Sequence, residues 1–153
     1  MIIRKFEQVD AKLVADLINR NFFEVNINDY AKEELEARAF TDEKVRTVAG
    51  YAHMYVCCID DEIIGCGAIS SFWGSLDESI LLTIFVKPEL HGQGIGKSII
   101  KTLEADELFL RAGRIEIPAS KTAYEFYLKM GYDFKEGIKQ LDDEGHYRME
   151  KFR

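Results

Sequence analysis

No stretch of this chain stays apolar for long. The uncharged, mostly apolar runs, Ile80 to Val86 among them, fall short of the ~20 residues that cross a bilayer, so no membrane partner is expected. The amino-terminal Met1-Ile2-Ile3-Arg4-Lys5 lacks a signal peptide's apolar core and cleavage site, which predicts a cytoplasmic protein. Basic charge is scarce, with 20 Lys and Arg against 27 Asp and Glu and a formal net charge of -7. Non-specific nucleic-acid binding rests on basic surface, so no nucleic-acid partner is expected, whereas an acidic field favours a cationic partner such as an amine. Cysteines are few and odd in number: Cys57, Cys58 and Cys66, with no C-x-x-C pair. Cys57 and Cys58 fall in one predicted strand, where neighbours face opposite sides, so a disulfide or shared metal is not expected and all three read as buried small hydrophobes. His53, His91 and His146 lack ligand spacing, and no metal site is expected.

What is present is the make-up of one folded unit. At 153 residues, 47% hydrophobic and 31% charged, without repeats or low-complexity tracts, residues 1–153 read as a single domain. Ile2 to Phe6 reads as a strand, and Asp10 can cap a helix with the apolar stripe Leu13, Val14, Leu17, Ile18. Asn28 or Asp29 can start a second helix through Leu35 and Ala39, and Thr41 and Asp42 can cap a third segment ending at Gly50. Met54 to Ile59 and Ile63 to Ser71 form a predicted hairpin around Asp60-Asp61, followed by a strand over Ser79 to Val86. Ile95, Ile99, Leu103 and Leu110 fit one long helix, although Asp106 and Glu107 interrupt its stripe. Arg114 to Ile117 is a strand ended by Pro118, Lys121 to Met130 a helix stopped by Gly131, and Tyr132 to Phe134 and Tyr147 to Lys151 the last strands. This order predicts an α/β (α+β) fold: a mixed, mostly antiparallel central sheet of about seven strands with helices on both faces.

The chemistry-bearing stretch is Ile84 to Lys97, an apolar strand, a proline-bearing turn and three glycines opening an amphipathic segment. A helix N-terminus offers unpaired N–H groups and partial positive charge, and glycines at its mouth admit an anion close to the backbone. Gly92, Gly94 and Gly96 spell G-x-G-x-G and miss the dinucleotide fingerprint G-x-G-x-x-G. Gly96-Lys97-Ser98 ends like a Walker A loop, but His91 stands where its first glycine belongs, and no later strand ends in an aspartate suited to magnesium. A plain connecting turn is the remaining local reading.

His91-Gly92-Gln93-Gly94-Ile95-Gly96 resembles the [QR]-x-x-G-x-[GA] motif of the Gcn5-related N-acetyltransferase (GNAT) superfamily, with His91 where that family has Gln or Arg. Ala123-Tyr124-Glu125-Phe126-Tyr127-Leu128-Lys129-Met130-Gly131-Tyr132 resembles its A-x-x-F-Y-x-K-x-G-F segment, and Ser120 replaces the Asn that usually precedes that helix. The two motifs cover about Ser79 to Phe134, and the order of strands and helices extends the likeness over most of the chain. The resemblance implies the acyl-CoA N-acyltransferase fold, with acetyl-CoA lying between the splayed strands Ser79 to Val86 and Arg114 to Ile117. It assigns the pyrophosphate to main-chain groups of His91, Gly92, Gln93, Gly94, Ile95 and Gly96, and a pantetheine contact to Ser120. Main-chain groups near Phe85 and Val86 would pair with the pantetheine amides, and an N–H near Ile84 to Val86 would stabilise an oxyanion.

Lys97 and Lys101, one turn apart, are candidates to face the CoA phosphates and equally read as solvated helix lysines. Tyr127 stands where many family members place the acid that protonates the departing thiolate, and its spacing also suits a packing face. For the general base the family's usual glutamate position holds Ile80; Glu78, on the same strand face, is the candidate, against a solvated strand-end carboxylate, with His53 as another. The Phe22-Phe23 to Tyr30 connection, Trp73 and the Asp142 to His146 loop are expected to cover the acceptor side, where Asp142, Asp143 and Glu144 could hold a cation or form an ordinary polar turn. The expected activity is acetyl transfer from acetyl-CoA to a primary amine of a small molecule by direct attack in a ternary complex. A protein or peptide acceptor and a non-catalytic acyl-CoA-binding module are the alternatives, a tRNA-acetylating toxin is disfavoured by the acidic charge, and a homodimer stays open.

Overall fold

A computed structural model describes residues 1–153. Seven strands form one sheet in the order β1-β2-β3-β4-β5-β7-β6. They are β1 (Ile2–Lys5), β2 (His53–Ile59), β3 (Glu62–Ser71), β4 (Glu78–Val86), β5 (Arg114–Ala119), β6 (Asp133–Phe134) and β7 (Tyr147–Phe152). Every neighbouring pair is antiparallel except β4 and β5, which run parallel. The helices are α1 (Ala11–Glu24), α2 (Lys32–Arg38), α3 (Asp42–Tyr51), α4 (Ile95–Glu104), α5 (Glu107–Leu110) and α6 (Tyr124–Lys129). The mixed, mostly antiparallel sheet expected from the sequence is the one present.

Two apolar cores sandwich the sheet. One joins Val14, Leu17 and Ile18 of α1 and Val45 and Val48 of α3 to Val56 and Ala68 of the sheet. The other joins Ile95, Ile99, Ile100 and Leu103 of α4 to Leu81, Ile115 and Ile117. Burying each of these α4 side chains is worth about 1.5–3 kcal/mol, which fixes the helix on the sheet. Gly67 permits the close approach: a Cβ there would lie 2.6 Å from Cγ2 of Ile99. Cys57 and Cys58 are free, buried and divided between the two cores.

Several boundaries differ from the sequence reading. Leu13 is exposed and Asn21 takes the next inward position of the α1 stripe. Asp10 does not cap α1 with its side chain; its carboxylate accepts from the Glu7 N–H and the Arg4 guanidinium. The second helix begins at Lys32, after Asp29 and Tyr30 are drawn into contacts with Thr122 and Gly145. Thr41 caps α3 as expected, accepting from the Lys44 N–H. The long helix after the glycine turn is two helices: Asp106 is extended (φ -71°, ψ 147°) and its carboxylate accepts from Leu108 N–H and Tyr55 Oη, opening α5. Pro118 lies inside β5 and does not end it, because pairing with β4 has already stopped at Ile80↔Glu116 and no ladder on that side is broken.

Candidate active site

The site originates in an irregularity of β4. The register with β3 moves from Cys66↔Phe85 to Ala68↔Leu82, so Thr83 and Ile84 oppose Gly67 alone. This is a bulge, a device that bends a strand and re-aims its side chains. Thr83 carries the strain in a left-handed backbone of φ 49°, which a β-branched residue adopts at a cost of about 1–3 kcal/mol. On its other edge β4 pairs with β5 only at Glu78↔Arg114, Ser79↔Ile115 and Ile80↔Glu116. Beyond that last rung the parallel strands part.

Two cavities meet at the opening, one of about 650 Å³ and one of about 280 Å³. Ile84, Phe85, Ser120 and Tyr127 line both. The larger also takes in Val86, His91, Gly92, Gly94, Ile95, Gly96 and Lys97, so the structure gathers nearly all the residues singled out around the glycine turn. Gln93 is exposed and does not line it, and neither does Lys101; Lys129, which the sequence did not single out, does.

Gly94 is the N-cap of α4 with φ 82°, and Gly92 has φ 81°. Neither position has a heavy atom within 4 Å of where a Cβ would stand, so a side chain there would be strained and would project into open space. Gly96 is needed for another reason, since a Cβ would lie 3.3 Å from the Phe126 ring. The first-turn N–H groups of α4, without intrahelical acceptors, therefore open toward the larger cavity beside the Lys97 and Lys129 cations.

His91 anchors this turn. Its Nε2 donates to the Val86 carbonyl at 2.8 Å, which fixes the proton on Nε2, and Asn21 Nδ2 donates to the same carbonyl at 3.0 Å. Helix α1 and the glycine turn are both pinned to the end of β4. Ser120 Oγ accepts from the Ala123 N–H at 3.1 Å and so shapes the turn that leads into α6.

Tyr127 is buried, packed 5.3 Å from the Phe126 ring and 6.5 Å from Tyr132. Its hydroxyl has no hydrogen-bond partner within the protein yet is not sealed off, because it faces the cavities. Burial pushes its pKa well above the ordinary 10, so it keeps its proton at neutral pH.

The candidate bases fare differently. Glu78 lines neither cavity; it stands at the closed end of the β4–β5 pair, its Oε1 accepting from Arg114 at 3.1 Å, and lies roughly 20 Å along the strand from Ile84. His53 is likewise elsewhere, its Nδ1 3.0 Å from the Asp106 carboxylate. Among the titratable groups that do reach the smaller cavity is His146, which sequence reasoning placed on the covering loop without giving it a proton to move.

The smaller cavity is walled by Phe22, Leu35, Phe40 and Leu81, with Arg38, Lys44, Glu144 and His146 as its charged or titratable members. Tyr30 assembles this wall. Its hydroxyl donates to the Gly145 carbonyl at 2.6 Å and accepts from the Lys121 N–H at 3.0 Å, which clamps the 142–146 loop to the turn before α6. Asp142 is consumed by the loop itself, accepting from Glu144 and His146 N–H groups, and Asp143 is exposed. Trp73 takes no part: it is 91% exposed beyond the end of β3.

A family model described as an acetyltransferase (GNAT) domain matches residues 50–133, more than half of the sequence. The chain belongs to the GNAT acetyltransferase family. This GNAT chain is 28% identical over 155 residues to an N-acetyltransferase of Methanocaldococcus jannaschii named as uncharacterized, covering 95% of this chain and 86% of the relative. Its fold is that of the PaiA N-acetyltransferase of Thermoplasma acidophilum, solved with coenzyme A (TM-score 0.80, 19% identity, 99% of this chain and 98% of that one). It also matches a GNAT protein of Rhodopseudomonas palustris (TM-score 0.79, 20% identity, 99% and 95% covered) and an aminoglycoside 6'-N-acetyltransferase in complex with coenzyme A (TM-score 0.76, 18% identity, 99% and 97% covered).

Proposed function

We propose that this GNAT chain transfers the acetyl group of acetyl-CoA to the primary amine of a small molecule, by direct attack within a ternary complex. The observation that carries the reading is the parting of β4 and β5, which joins a glycine-lined cavity to a second, smaller one with Tyr127 on the wall of both. The larger cavity fits the cosubstrate: first-turn amides of α4 for a pyrophosphate, Lys97 and Lys129 for phosphate charge, and the freed edge of β4 near Phe85 and Val86 for pantetheine amides. Acetyl-CoA, when bound, supplies an already activated thioester. The protein's task is then mainly to hold a neutral amine in line with it, and such placement is worth roughly 7 to 11 kcal/mol. Main-chain N–H groups of the bulged segment stabilise the oxyanion, and Tyr127 returns a proton to the leaving sulfur.

His146 is the proton acceptor on the amine side. Burial holds its pKa below the ordinary 6.5; Asp142 and Glu144 pull it up, and Arg38 and Arg148 push it down. A lowered pKa leaves the imidazole neutral and able to accept a proton at physiological pH. The acid limb of kcat/KM is therefore expected below pH 6.5, and His146→Gln should remove that limb and lower the plateau about tenfold or more. A limb unchanged in the variant would assign it to another group.

The activity itself is tested by calorimetry with coenzyme A and by thiol release from acetyl-CoA over a panel of small primary amines. Saturable binding with amine-dependent release is the expected result. Binding without release on any amine would favour a non-catalytic acyl-CoA-binding module, and no binding at millimolar coenzyme A would end the assignment.

A further inference from the structure

The smaller cavity is lined by two cations that no carboxylate pairs directly. Arg38, at the end of α2, makes no ion pair, and none of its guanidinium N–H groups donates to the protein; Lys44, on α3, donates to the Arg38 carbonyl at 3.1 Å and lies 4.2 Å over the Phe40 ring. Lys44 feels its neighbour, for burial and then the Arg38 charge lower its pKa. Glu144 lines the same cavity, but neither Arg38 nor Lys44 forms an ion pair with it or with any other carboxylate, so in a chain of net charge -7 with 27 acidic residues both cations keep capacity for an anion. Arg4, Arg20, Arg114 and Arg148 pair with carboxylates, and Arg111 and Arg153 donate to hydroxyl or carbonyl oxygens; Arg38 differs from these in lining a cavity with none of its guanidinium donors used.

A second unpaired polar group lies in the same wall. Thr83, held by the bulge, lines this cavity, and its Oγ1 is buried with no hydrogen-bond partner. A buried hydroxyl left without a partner costs stability unless something that binds there satisfies it. Phe22, Leu35 and Phe40 supply an apolar wall, and the volume of about 280 Å³ is at the low end for ligand pockets.

Resting on the acetyl-transfer reading of this site, we propose that the acceptor is a small amino acid-type amine. Its carboxylate is held by Arg38 and Lys44, and its apolar body by the Phe22, Leu35 and Phe40 wall. A planar guanidinium with five free donors grips a carboxylate in bidentate fashion, and the lysine adds a point charge beside it. Glu144, on the covering loop, supplies the opposite charge near the ammonium end before the proton is lost. The site thus selects a zwitterion over a simple alkylamine of the same shape.

The test compares acceptors that differ only in that carboxylate. Thiol release is measured with leucine against isoamylamine and leucinamide, and with phenylalanine against phenethylamine and phenylalaninamide. The wild-type protein is expected to prefer the acids by tenfold or more in kcat/KM, with the difference mainly in KM. Arg38→Gln should collapse that preference to about threefold or less, and Arg38→Lys, which keeps charge without the fork, should restore part of it. Coenzyme A affinity, read by calorimetry, reports that each variant is folded, because Arg38 does not line the larger cavity. Amines lacking a carboxylate used as well as or better than the acids would overturn the proposal and leave acetyl transfer standing. An acid preference that survives Arg38→Gln would also overturn it, and release from no amine at all would remove both readings together.

Discussion

Tyr127→Phe should lower kcat for amine acetylation about a hundredfold while leaving coenzyme A affinity nearly unchanged. The substitution deletes one oxygen from a ring that is otherwise held by packing against Phe126 and Tyr132. That hydroxyl makes no hydrogen bond within the protein, so its removal leaves no partner stranded and the fold should tolerate it. Burial raises the phenol's pKa, which alone would make it a poorer acid. The same apolar surroundings would penalise a naked thiolate at the leaving position, so donor and acceptor move together and the match between them survives. Loss of the proton source should appear in kcat more than in KM, since the contact matters once the sulfur gains charge. Rate and affinity unchanged together would reduce Tyr127 to a core aromatic, the other role its spacing allows.

The parts legible in the sequence were those written locally. The glycines at 92, 94 and 96 announce a backbone that only glycine adopts or that Phe126 must approach, and the α4 stripe follows directly from them. Even the break at Asp106 left a mark, as charge in an apolar stripe. The smaller cavity was legible only in part: Phe22, Tyr30, Glu144 and His146 lie in the segments expected to cover it, but no local pattern encodes its cations. Arg38 looks like an ordinary charge at the end of a short helix. It becomes a wall of the cavity only because β4 and β5 part and Tyr30 draws the Gly145 loop across, a contact spanning 115 residues of sequence. Glu78 shows the converse error. Strand parity put it on a plausible face, yet parity says nothing of position along the strand, and the nearest opposite charge, Arg114, claims it.

Glu116→Ala should destabilise the protein by about 3–5 kcal/mol, equivalent to roughly 10 °C in Tm for a chain of this size. Glu116 is fully buried on the last rung shared by β4 and β5, opposite Ile80, at the point where the strands part. Its carboxylate accepts from Arg114 and from Arg148 Nε at 2.8 Å, and Lys135 Nζ lies 3.1 Å away. Arg114 in turn bonds Glu150 at 2.8 Å and Glu78 at 3.1 Å. Removing the central anion leaves three cations converging on an apolar gap, a worse state than never having had the pair. The pH dependence gives the sign. Burial alone would raise the Glu116 pKa, but the bonds from Arg114, Arg148 and Lys135 outweigh it and hold the carboxyl below its ordinary 4.5. As pH falls, the unfolded chain takes up this proton first, so the network's contribution is complete above about pH 4.5 and is lost as pH drops through the lower folded value. Glu116→Gln should therefore be less stable at pH 7 and show a shallower acid arm in chemical denaturation. Because the same rung sets where β4 leaves β5, the variants should also weaken coenzyme A binding. A stability loss below about 1 kcal/mol would show that the network's desolvation cost already cancels its attraction, and the opening would then be held by the Thr83 bulge alone.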